Sequence, residues 1–126
     1  MARWHGEKGR KLTGGKINLG KGKRKYEMGS LPLHTKLGKT EIKIVKVKGG
    51  NKKVKAASVE FANVISDKET KKVKILDITG NPADPHLARR GIITKGSILK
   101  TELGLVKVTS RPSQHGIVNA ILVKEK

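Results

Sequence analysis

The chain has 126 residues, a formal net charge of +19, 2% aromatic residues and no cysteine. That length holds one domain with an arm, and so large a positive charge points to a polyanionic partner, nucleic acid ahead of anionic lipid. The composition excludes a disulfide framework, a thiolate zinc site and, with no apolar run near the roughly 18 residues a span requires and no long amphipathic helix, a membrane helix.

The opening residues, MARWHGEKGRK, lack the apolar stretch of a signal peptide, so an intracellular chain is expected. Arg3 is the first cation. Trp4 reads as a local packing anchor, with base stacking as its alternative use. The histidines, His5, His34, His86 and His115, are scattered without metal-ligand spacing, and no cofactor is expected.

Residues 10–28, RKLTGGKINLGKGKRKYEM, hold little material for a core and much that grips a polyanion. Arg10, Lys11, Lys16, Lys21, Lys23, Arg24 and Lys25 supply charge, with Glu27 the single acid among them. Gly14 and Gly15 permit close backbone approach to another surface. GKINLGKG (15–22) stops short of a phosphate-cradling nucleotide loop: Gly22 stands where a magnesium-holding hydroxyl is needed, and no apolar strand leads in. Tyr26 follows the densest basic run, where it can pack or stack. Residues 30–39 read as a linker, because Pro32 disfavours helix before it and Gly38 interrupts the chain.

A boundary follows at about residue 40. Ile, Leu, Val and Phe make up 15% of residues 1–40 and 31% of residues 41–126, the first in the disordered range and the second in the globular one. Residues 1–40 are expected to be a basic extension, disordered when free and ordered on RNA, and residues 41–126 a folded body. Fully extended, such an arm reaches about 130–140 Å.

TEIKIVKVK (40–48) has strand periodicity that breaks at Ile44 and Val45, which predicts a bulge there or a strand buried on both sides. A turn at Gly49, Gly50 and Asn51 leads to a second strand within 52–62, although Phe61, Val64 and Ile65 also fit helical spacing. Residues 63–65 and 73–78 read as a hairpin around the polar turn SDKET. GNPADPHLARRG (80–91) is expected to be a surface loop, with Arg89 and Arg90 contacting phosphate. The last third alternates short Val- and Ile-rich strands (92–94, 97–101, 105–109 and 117–124) with turns, and the loop 110–116 carries Arg111. Such spacing fits a small barrel or sandwich, and closure would remove exposed edges.

No enzyme is expected. The acids, Glu41, Glu60, Asp67, Glu69, Asp77, Asp84 and Glu102 among them, lie mostly beside lysines, without a histidine–carboxylate pairing. The cations named above instead suit phosphate neutralisation. Two classes of basic binder remain: a protein of structured RNA, or a small DNA-binding chromatin protein.

TGGK (13–16), KRKYEMG (23–29), NPAD (81–84), ARRGIITKGSIL (88–99), TELG (101–104) and VTSRPSQHGIVNA (108–120) together resemble the archaeal and eukaryotic ribosomal protein family eight-e of the small subunit. The motifs occur in the family's order over essentially the whole chain. The resemblance implies an all-β fold, a small β-barrel with a basic, extended N-terminal arm threaded into small-subunit rRNA. It also implies a cytoplasmic, ribosome-bound chain of archaeal type, since eukaryotic relatives carry an internal insertion missing here. Small-subunit rRNA and other small-subunit proteins would be the partners, with no membrane and no small-molecule substrate.

Overall fold

The computed structural model describes residues 4–7, 9–66 and 69–123. The chain divides into two units, Met1–Pro32 and Leu33–Lys126. Among its described residues, the first holds single bridges, Trp4 to Met28 and Arg10 to Lys16, and one 3-10 turn, Lys25–Glu27.

The second unit is built of strands β1 (Thr35–Leu37), β2 (Glu41–Lys46), β3 (Lys52–Val59), β4 (Phe61–Ser66) and β5 (Glu69–Gly80). Helix α1 (Pro85–Arg89) and strands β6 (Ile92–Ile93), β7 (Ile98–Thr101) and β8 (Gly104–Val108) follow, then helix α2 (Pro112–His115) and strand β9 (Asn119–Leu122). Strands β4-β5-β7-β8-β9 close into a barrel, sealed by a parallel pairing of β9 with β4 that sets Val64 opposite Ala120. A four-stranded sheet, β2-β3-β1-β6, accompanies it. The all-β fold with a small closed barrel is as expected.

Alternation fills the barrel. Ala62 and Val64 of β4, Leu99 of β7, Val106 and Val108 of β8 and Ala120 of β9 point inward and are buried. In β5 the buried set runs Val73, Ile75 and then Ile78, because the register against β7 shifts between Ile75 and Asp77. The extra residue reverses the phase, which leaves apolar Leu76 exposed. The β4–β5 hairpin pairs Ser66 with Glu69, as the pattern around SDKET predicted.

Several local expectations change. The segment read as a linker contains β1, a three-residue strand too short for periodicity to reveal. It pairs parallel with β3 and antiparallel with β6, and buried Thr35 donates its hydroxyl to the Ala56 carbonyl at 2.8 Å. The second unit accordingly takes in β1 and starts at Leu33. The irregularity of β2 lies between Glu41 and Ile42, not at Ile44 and Val45, and the strand is exposed along its length instead of buried on both sides. Phe61–Ser66 is a strand, which removes the helical alternative.

The proline loop 80–91 holds a helix after all. Pro85 sits at the helix start, where an N–H is not needed, and the Asp84 carboxylate accepts from the His86 N–H at 2.9 Å. The loop 110–116 likewise holds α2, which begins with Pro112 and ends at Gly116 with φ 76°. A proline breaks a helix interior but favours a helix start.

Candidate nucleic-acid interface

In the first unit the cations gather in two places. Residues 10–16 fold into a tight turn: the Lys11 N–H donates to the Gly15 carbonyl at 2.8 Å, the Gly14 N–H to the Lys11 carbonyl at 2.9 Å, and Arg10 bridges to Lys16. Gly14 has φ 84°, a left-handed geometry that glycine adopts without strain. Gly15 has ordinary backbone, and a Cβ there would meet only the Thr13 hydroxyl at 3.9 Å. The Arg10 guanidinium donates to the Gly14 carbonyl at 2.9 Å. It retains other N–H groups, while Lys11 and Lys16 project into solvent from the same turn.

The second gathering is organised by Glu27. Its carboxylate accepts from the Trp4 indole N–H at 2.8 Å and the Arg24 backbone N–H at 3.3 Å, and pairs with Lys21 Nζ at 3.1 Å. The Glu27 carbonyl also accepts from the His5 N–H at 2.9 Å. The indole hydrogen bond, then the Lys21 contact, hold the Glu27 carboxyl below the usual glutamate range. Glu27 in turn raises Lys21 above the usual lysine range, helped by Tyr26. Lys23 Nζ lies 5.4 Å from the centre of the Trp4 ring, a cation–π arrangement. Trp4 is therefore a packing anchor, and Lys21 is largely engaged by Glu27. Arg24, Lys25 and Tyr26 are exposed around the knot.

In the body, α1 ends in Arg89 with Arg90 as its C-cap, both exposed. Arg111 caps the start of α2 and lines a groove with Leu33, His34, Leu87, Lys95 and Pro112. Buried Ile92, Ile93 and Pro112 supply the apolar floor, and His34, Lys95 and Arg111 the basic rim. Arg89 and Arg90 do not line it. Arg3 lies outside the described residues.

Two basic features escaped the sequence reading. Lys95 sits in a turn with Gly96 (φ 89°) and reaches the groove only because the fold brings residues 33–34 and α2 alongside it. The β2–β3 hairpin displays Lys43, Lys46, Lys48, Lys52 and Lys53 against a single acid, Glu41. The signal was present as lysines recurring through two successive strands, but alternation alone reads as an ordinary solvated face. Lys53 Nζ donates to Gln114 Oε1 at 3.3 Å, tying the hairpin to α2. Among the described residues, no group of three or more His, Asp or Glu could hold a metal ion, and no helix is long and apolar enough to cross a membrane. The site offers many exposed cations on short turns, a chemistry of phosphate contact.

The profile of the family described as Ribosomal protein S8e matches residues 4–123. A relative from Methanococcus aeolicus named small ribosomal subunit protein eS8 is 52% identical over 128 residues, covering 99% of this chain and 100% of the relative. Proteins of the same name from Sulfurisphaera tokodaii and Methanocorpusculum labreanum are 49% and 46% identical, over 99% and 96% of this chain and 100% and 98% of their own. Matched over nearly its whole length, the chain belongs to the ribosomal protein S8e family.

Proposed function

We propose that the protein is a structural constituent of the small ribosomal subunit, resident in the cytoplasmic ribosome and not an enzyme, and that it stabilises folded rRNA by phosphate neutralisation. The observation that carries this is the family match across residues 4–123. It favours structured RNA over duplex DNA, a choice that charge alone leaves open. The two exposed basic turns of the first unit, the α1 and α2 arginines and the β2–β3 lysines support the mechanism, because each places cations with few neighbouring acids where phosphates can reach them.

In this reading the N-terminal extension runs among RNA segments and takes its path from them, while the body beginning at Leu33 docks as a rigid unit. Arg10, Lys11, Lys16, Lys23, Arg24, Lys25, Arg89, Arg90 and Arg111 neutralise phosphates, and Arg3 is assigned the same role. Lys21 divides its charge between Glu27 and RNA. Gly14 and Gly15 allow backbone approach, and Tyr26 packs on or stacks against a nucleotide. Other small-subunit proteins complete its surroundings.

Sedimentation of a lysate through a gradient after a high-salt wash tests the reading. The chain should stay with small subunits at salt that strips loosely held basic proteins. Its absence from that fraction would overturn the assignment.

A further inference from the structure

The outer wall of the barrel carries a feature that phosphate binding does not use. Outward residues of β4 are Phe61, Asn63 and Ile65, and those of β9 are Asn119 and Ile121. The parallel register sets Asn63 beside Asn119 and Ile65 beside Ile121. Ile117, just before β9, and Ile42 of β2 share a groove with Phe61. The exposures of Ile42, Phe61, Ile65, Ile117 and Ile121 are 50, 38, 49, 49 and 43%, so a run of large apolar side chains faces water along one wall. At its middle the Asn63 amide donates to Asn119 Oδ1 at 3.2 Å. Exposed apolar residues grouped in this way mark an interaction surface.

Lysines flank the strip. On β5, Lys74 and Lys72 pair with Phe61 and Asn63, and on β8, Lys107 pairs with Ile121. Lys74 already meets Glu60 at 3.3 Å, and Lys72 Nζ lies 4.7 Å from the centre of the Phe61 ring. That cation occupies one face of the Phe61 ring, and the other apolar groups of the strip are aliphatic, so little of it suits base stacking. A phosphate-rich surface gains nothing from burying them. A second copy of the chain is disfavoured by the +19 charge and the matching lysine rims. Closure of the barrel leaves no free strand edge here, so contact is made through side chains rather than by strand addition.

We propose that this wall docks a segment of another polypeptide whose apolar residues are flanked by aspartate or glutamate. The inference rests on the reading that the chain is built into the small subunit, and it names the surface through which the body meets a protein there. Apolar residues of the partner would cover the isoleucines, its acids would meet Lys72 and Lys107, and the Asn63–Asn119 pair would fix register.

The test is site-specific photo-crosslinking in assembled small subunits. The full chain carries p-benzoylphenylalanine in place of Ile121 or, as a comparison, in place of Lys25. After irradiation the probe at 121 should yield one peptide adduct, with apolar residues bordered by acids, while the probe at 25 yields RNA adducts. An RNA adduct, no adduct, or a peptide without acids at 121 would overturn the proposal even where the probe at 25 finds RNA. Failure of the chain to enter subunits would overturn both readings. The exposed double substitution Lys72→Glu with Lys107→Glu should lower the yield at 121 about tenfold, because like charges would then face each other across the interface. Undiminished yield from a variant with unchanged thermal unfolding would refute the charge complementarity.

Discussion

Replacing Gly116 with alanine should destabilise the body, for two reasons that add. Gly116 ends α2 with φ 76°, where an L-residue carries about 1–2 kcal/mol of strain. A Cβ built there would lie 2.5 Å from Val54 Cγ1 and 3.3 Å from Val54 Cβ, well inside the roughly 3.5–4.0 Å of a relaxed carbon contact. Val54 is β-branched and sits within β3, so it yields little without moving the strand, and overpacking of this kind costs about 1–3 kcal/mol. The sum, roughly 2–5 kcal/mol, corresponds to a fall in Tm of roughly 8–40 °C for a domain this size. Thermal unfolding followed by circular dichroism measures it. Gly80→Ala is the control, because a Cβ there meets nothing within 4 Å and its φ is not left-handed. Gly116→Ala within about 0.5 kcal/mol of the parent, or a Gly80→Ala loss of equal size, would refute the reasoning.

Other outcomes follow from burial and from the Glu27 knot. Leu99→Ala, at a side chain 0% exposed, should cost about 2–5 kcal/mol, whereas Ile44→Ala, 68% exposed on β2, should stay within about 0.5 kcal/mol; urea midpoints compare them. Because the Glu27 carboxyl titrates below its unfolded value, its contribution to the knot is present above the ordinary glutamate range and lost as pH falls through the lowered value. Raised Lys21 contributes fully below the ordinary lysine range and is lost as alkaline pH passes its raised value. The NMR signal of the Trp4 indole N–H should therefore shift at acid pH below the usual glutamate range, and that shift should vanish in Glu27→Gln. A midpoint at the ordinary glutamate value would remove the knot from the account.

The barrel was legible because β7, β8 and β9 are short runs rich in Ile, Val and Leu, with glycine- or proline-bearing segments marking their ends. β1 was hidden since three residues flanked by Pro32 and Gly38 carry no period, and its burial is set by β3 and β6 on either side. Prolines at 85 and 112 read as breakers because their place at a helix start depends on the residues that cap it. Among site residues, the basic runs of the arm were plain in order and charge. Internal use of Lys21 and Trp4 by Glu27 was not, since it joins residues far apart in the chain. The groove around Arg111 and the apolar barrel wall depend on tertiary neighbours that no local pattern records.

The salt dependence of binding to small-subunit rRNA tests most directly whether the N-terminal cations neutralise phosphates. The full chain is compared with a variant in which Arg10, Lys11, Lys16, Lys23, Arg24 and Lys25 are all glutamine. Each lost phosphate contact should reduce the slope of log K against log salt by about 0.7–0.9, a total of about 4–5. A slope unchanged within about one would show that these residues stay clear of the RNA backbone, and would contradict the account.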